Sequence, residues 1–114
     1  KWIIESAALT SEQVGELTSL IRDIVVDCVG EQKATDVFVK TSTGFYKPED
    51  GGPGVASVGD VSIMSLNAGP LKVKASGGIY SREDLEKMLD AGASRIGTSA
   101  GLEIIKGEIS DTDY

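Results

Sequence analysis

The chain has 114 residues, of which 40% are apolar and 25% charged, and a net charge of −7. That is enough apolar side chain for one domain with one core, and too much for a disordered segment. The acidic balance speaks against nucleic acid or an anionic membrane as partner, since both attract basic surfaces.

Residues 2–9, rich in Ile and Ala, predict the first strand. A chain that opens inside a core strand, without a leading polar segment, reads as a piece of a longer polypeptide. Thr10 and Gln13 stand at capping-box spacing and predict a helix start. Val14, Leu17, Ile21, Ile24, Val25 and Cys28 follow at helical spacing, and Gly30 is placed to end that helix. Cys28, the only cysteine, is read as a small buried hydrophobe on this face and can form no disulfide within the chain. A loop containing Glu31, Gln32 and Lys33 leads to a second strand at residues 36–40.

Residues 47–54 hold two prolines and three glycines and predict an exposed loop. A helix is expected over 55–66, with Val58, Val61, Ile63, Met64 and Leu66 as its stripe, and the third strand begins at Leu71. Ser81 to Asp84 is a second capping signal, Leu85, Met88 and Leu89 the buried face, and Gly92 the cap at the other end. Residues 95–98 predict a fourth strand and 102–105 a short last helix, with an acidic tail at 109–114 expected to fray. Strands alternating with helices imply an α/β fold with a parallel sheet. Four such units could form a small open doubly wound sheet or half of a (β/α)₈ barrel, which takes about 250 residues. The abrupt start favours the half barrel.

Three strand ends carry the chemistry. Val39-Lys40-Thr41-Ser42-Thr43-Gly44 and Val73-Lys74-Ala75-Ser76-Gly77-Gly78 each end a strand in a lysine and a small-residue turn. Arg95-Ile96-Gly97-Thr98-Ser99-Ala100-Gly101 ends in a similar turn without lysine. Parallel α/β folds gather their sites at strand carboxyl ends, so the three turns are expected to converge. Burying a lysine, or facing it with a second one, disfavours its protonated form and frees a nucleophilic amine. That is what a Schiff-base enzyme requires. The chain has no histidine, which removes Ser-His and Cys-His triads and the commoner zinc sites.

These motifs, with Lys1-Trp2-Ile3-Ile4-Glu5 ahead of them, resemble strands five to eight of the deoxyribose-phosphate aldolase family. The resemblance runs over essentially the whole chain and implies the second half of a TIM barrel, with parallel (β/α) units as a single domain fragment over 1–114. It implies that Lys40 forms the Schiff base and that Lys74 is the cation beside it. It further implies a phosphorylated sugar, 2-deoxyribose 5-phosphate, held by Thr41, Thr43, Gly44, Ser76, Gly77, Gly78, Gly97, Thr98, Ser99 and Gly101. Glycine-rich turns suit this because their backbone N–H groups are open to an anion. No metal or other cofactor is implied, because the imine is itself the electron sink.

The expected partner is an N-terminal half of the barrel or a second copy, and the full-length protein is expected to be a homo-oligomer. Neither nucleic acid nor membrane is expected. No run of about 18 apolar residues and no signal-peptide pattern is visible, so the expected location is cytoplasmic.

Three departures from the family pattern stand out. Tyr80 occupies the place of an arginine that follows Gly-Gly-Ile or Gly-Gly-Val, with Arg82 two residues on as a substitute. The loop after Phe45 is longer and richer in Pro and Gly. The proton-relay aspartate of the third barrel strand lies outside these residues. Two rival readings follow: another Schiff-base lyase on the same scaffold, or an idle homologue that binds sugar phosphate or a protein partner.

Overall fold

The structure, a computed structural model, describes residues 1–107. The acidic tail at 109–114 lies outside them. In chain order the elements are β1 (Trp2–Ile3), a 3₁₀ turn (Ser6–Ala8), α1 (Ser11–Val29), α2 (Glu31–Ala34), β2 (Phe38–Lys40), α3 (Val58–Asn67), β3 (Lys72–Ser76), α4 (Arg82–Asp90), β4 (Arg95–Gly97) and α5 (Gly101–Lys106).

All strand pairs are parallel and the spatial order is β1-β2-β3-β4. Crossovers between parallel neighbours are right-handed, so an order that never reverses keeps every helix on the same face of the sheet. The helices accordingly pack on one another in sequence, α1 on α3, α3 on α4 and α4 on α5. A doubly wound sheet needs a reversal of strand order to cover its second face, and there is none. The result is a two-layer slab about 19 Å thick along its shortest axis. It has the layering of half a barrel, with helices outside and the inner sheet face open.

Local chemistry accounts for the helix starts. Thr10 Oγ1 accepts from the Gln13 N–H at 3.2 Å while Gln13 Oε1 accepts from the Thr10 N–H at 2.9 Å, completing a reciprocal cap on α1. Ser57 and Ser81 each accept from the N–H three residues on, at 3.0 and 3.1 Å, starting α3 and α4. Side chains alternating along β2 and β3 send Val39, Val73 and Ala75 into the helix layer, where Ile4, Val14, Ile21, Val61 and Met64 meet them.

Several sequence expectations shift. The first strand covers Trp2–Ile3, not residues 2–9. The Ile4 and Ser6 N–H groups still bond to the Lys40 and Thr41 carbonyls, but Glu5 turns the chain through a left-handed conformation (φ 52°) and a 3₁₀ turn follows. On α1 the buried stripe is Val14, Thr18, Ile21 and Val25, so Ile24 and Cys28 are exposed rather than core. Thr18 can take the middle of that stripe because its hydroxyl donates to the Val14 carbonyl at 2.7 Å. The Glu31–Lys33 loop contains a short helix. The α3 helix starts at Val58, since Ser57 is its cap, and Val58, Leu66 and Leu89 face outward. The fourth strand ends at Gly97, one residue early, because the Thr98 hydroxyl is drawn to the Ile79 carbonyl at 2.7 Å.

Candidate functional site

The two lysines are brought side by side. Lys40 and Lys74 are Cα partners on adjacent parallel strands, which places their backbones about 4.8 Å apart. The same row continues to Ile3 on β1 and Arg95 on β4. Alternation along β2 and β3 turns both lysines, with Phe38, Lys72 and Ser76, towards the open face of the sheet. Arg95 and Lys72 lie over the Phe38 ring at 4.3 and 5.9 Å, forming a cationic floor beneath the pair. A chain of net charge −7 thus concentrates cations on one surface.

Electrostatics single out Lys74. Its ammonium is pushed below the ordinary lysine value of 10.5, first by burial and then by the like charges of Lys40, Lys1 and Arg95. Lys74 is only half-buried, with one sheet face open, so water still screens these repulsions.

The strand ends beyond the lysines are stitched together. Thr41 Oγ1 donates to the Ser76 carbonyl at 3.2 Å and accepts from the Ser76 N–H at 3.1 Å. Ser42 Oγ donates to Thr41 Oγ1, and Ser76 Oγ donates to the Ser42 carbonyl. All three side chains are buried, and this network fixes β2 against β3 just past the Lys40–Lys74 row. The sequence reading assigned the Thr41 and Ser76 hydroxyls to a ligand without anticipating this network. A run of small hydroxyl residues at two neighbouring strand ends was the available signal.

Glu5 was also missed. Its carboxylate accepts from the Thr43 N–H at 3.1 and 3.3 Å, pinning the loop after β2 at the mouth of the site. It is the one non-glycine residue at positive φ among the described residues, a conformation costing about 1–2 kcal/mol. The Thr43 hydroxyl accepts from the Phe45 N–H. Gly44, Gly77 and Gly78 all have positive φ, and Val55 of the long Pro/Gly loop lies directly on the Gly77-Gly78 turn. On the β4 turn, Thr98 Oγ1 accepts from the Ala100 N–H, Ser99 is engaged in an interaction, and Gly101 opens α5 with free space around its Cα.

Arg82 is not at this turn's disposal, since its guanidinium donates to the Ile105 carbonyl in the helix layer at 2.8 Å. Tyr80 is half-buried, and its N–H donates to the Asp84 carboxylate at 3.0 Å. Two surface grooves lie elsewhere, one on α1 beside Leu9, Gln13 and Leu20, the other at the amino end of β3 beside Arg22, Asp27 and Pro70. Neither contains the paired lysines. Among the described residues no group of three or more His, Cys, Asp or Glu side chains could hold a metal ion.

Comparison with known proteins agrees with this geometry. No protein-family model matches the chain. The deoxyribose-phosphate aldolase of Staphylococcus carnosus is 43% identical over 115 aligned residues, covering all of this chain and 45% of that protein. Among solved structures, "QR15, an Aldolase" superposes with a TM-score of 0.68 at 33% identity, over 91% of this chain and 40% of that one. The deoxyribose phosphate aldolase from Aeropyrum pernix, described as tetrameric, gives 0.62 at 31% identity, over 91% and 38%. The chain thus spans less than half the length of the relatives it matches. In sequence and in strand layout it matches the C-terminal half of deoxyribose-phosphate aldolase barrels.

Proposed function

We propose that these residues, in a complete barrel, form the Schiff-base half of a class I aldolase that cleaves 2-deoxyribose 5-phosphate. The observation that carries this reading is the pairing of Lys40 with Lys74 on adjacent strands, with both lysines on the open face of the sheet. In this account Lys40 attacks the aldehyde carbon at C1, and loss of water leaves a protonated imine. A base takes the proton of the C3 hydroxyl, the C2–C3 bond breaks, and its electron pair flows into the imine to give an enamine. Glyceraldehyde 3-phosphate departs. The enamine takes a proton at C2, and water releases acetaldehyde and regenerates the Lys40 amine.

Lys74 serves as a short-range proton carrier beside Lys40. Its own depressed affinity for a proton suits it to give one up. Gly44, Gly77, Gly78 and the Gly97–Gly101 turn offer backbone donors to the phosphate, with Thr43, Thr98 and Ser99 around them. Thr41 and Ser76 act by fixing the strand ends rather than by direct contact. With Tyr80 in place of an arginine and Arg82 engaged at Ile105, this phosphate site relies on backbone donors.

The open inner face requires a second set of strands to close the barrel and to exclude water, and we assign that to an N-terminal half supplying the proton-relay carboxylate. Assembly of the whole protein into a homo-oligomer belongs to the same reading, as does a cytoplasmic location. No helix among the described residues is long and apolar enough to cross a membrane. The test is cleavage of 2-deoxyribose 5-phosphate by the complete barrel, followed through glyceraldehyde 3-phosphate. Turnover with this substrate and not with other sugar phosphates supports the assignment, and reversed preference overturns it.

A further inference from the structure

Gly97 presents a feature that the turn geometry does not explain. The glycines at 44, 77 and 78 sit at positive φ, where a side chain is strained, but Gly97 does not. Its backbone would accept alanine. What a Cβ at 97 would meet is the neighbouring strand: Ser76 Cβ at 3.0 Å, Lys74 Cε at 3.1 Å and Lys74 Nζ at 3.7 Å. Ser76 is the Cα partner of Gly97, whereas Lys74 pairs with Arg95, two residues earlier. The Lys74 chain therefore leans forward along the sheet and lays its amine across the bare Cα of Gly97. A glycine inside a strand commonly marks such a close approach.

We propose that Gly97 is a positioning residue for Lys74: the side chain missing from β4 is the slot that holds the lysine's terminal carbons low against the sheet, beside Lys40. The catalytic consequence rests on the aldolase reading, but the packing does not. A methyl group at 97 meets one nearly immovable atom, the buried Ser76 Cβ, and one mobile chain, that of Lys74. The mobile chain yields. Lifted towards water, Lys74 loses the burial that most disfavours its charge, while the charged groups around it remain Lys40 on β2, Lys1 ahead of β1 and Arg95 on β4.

The experiment is a pH titration of the ¹³Cε resonances of labelled lysine in the full chain, comparing the parent with Gly97→Ala. The Lys74 signal is assigned by its loss in Lys74→Met. The expected result is that the Lys74 midpoint rises towards that of an ordinary lysine. An unchanged Lys74 midpoint in a folded Gly97→Ala chain overturns the proposal. Should that variant prove unfolded, the double variant Lys74→Ala/Gly97→Ala decides. Recovery of the fold when the lysine is shortened supports the slot, and failure to recover it overturns the proposal. No aldehyde is needed, so a parent barrel that forms no imine would refute the aldolase reading and leave this result standing.

Discussion

Replacing Thr41 by valine keeps the shape of the side chain and removes only its hydroxyl, which makes it the cleanest probe of the stitch between β2 and β3. The hydroxyl is the acceptor for the Ser76 N–H at 3.1 Å and for the Ser42 hydroxyl at 3.1 Å, and it donates to the Ser76 carbonyl at 3.2 Å. Thr41 and Ser76 are fully buried, so water cannot replace what is lost. A buried donor without a partner costs about 1–3 kcal/mol. The Ser42 hydroxyl can rotate to another acceptor, so the Ser76 N–H and C=O dominate and the expected loss is about 2–3 kcal/mol. With a urea slope of about 1–2 kcal/mol per molar, the unfolding midpoint falls by roughly 1–3 M. Thr41→Ser is the control, because it keeps the hydroxyl and gives up one methyl, about 0.8 kcal/mol. Urea unfolding followed by far-UV circular dichroism measures both. If the valine variant unfolds at the same midpoint as the serine variant, the network does not fix these strand ends.

Two further outcomes follow from the same site. Lys74→Met is expected to stabilise the chain at pH 7, because a lysine whose proton is held less tightly in the folded state destabilises that state while it is charged. The gain is fully present below the folded-state value and fades as pH rises towards 10.5, which thermal unfolding at a series of pH values reads directly. A gain that grows with pH would contradict the repulsion among Lys40, Lys74, Lys1 and Arg95. Gly78→Ala is expected to cost about 1–2 kcal/mol from its positive φ alone, and to dislodge Val55, 3.0 Å from the new methyl. Faster proteolysis within residues 46–57 of that variant would report the loosened loop, and an unchanged cleavage rate would argue against Val55 as its anchor.

What was legible in the sequence followed from short-range chemistry. The caps at Thr10 and Ser81, the glycine at 30 and Lys40 at the end of β2 each act within a few residues and appear where the pattern put them, whereas Lys74 stands at the centre of β3, which runs on to Ser76. The errors came from effects that need a partner distant in sequence. Nothing in residues 2–9 says that Glu5 will turn back to hold Thr43, 38 residues on. Hydrophobic spacing on α1 pointed to Ile24 and Cys28 because Thr18 looks polar until its hydroxyl is returned to the helix backbone. The half barrel was favoured over an open sheet from the strand-end motifs, and the unreversed strand order bears it out. The glycines illustrate the limit most plainly: Gly77 and Gly97 look alike in sequence, yet one answers to its own φ and the other to its neighbour's side chain.

The central claim is that Lys40 forms the covalent bond to substrate, and borohydride trapping tests it most directly. The complete barrel is incubated with 2-deoxyribose 5-phosphate or acetaldehyde, reduced, digested and mapped by mass spectrometry. The account predicts one stoichiometric adduct at Lys40, absent in Lys40→Ala together with all cleavage. A Lys40→Ala barrel that still cleaves 2-deoxyribose 5-phosphate, or a stoichiometric adduct on another lysine, would contradict it.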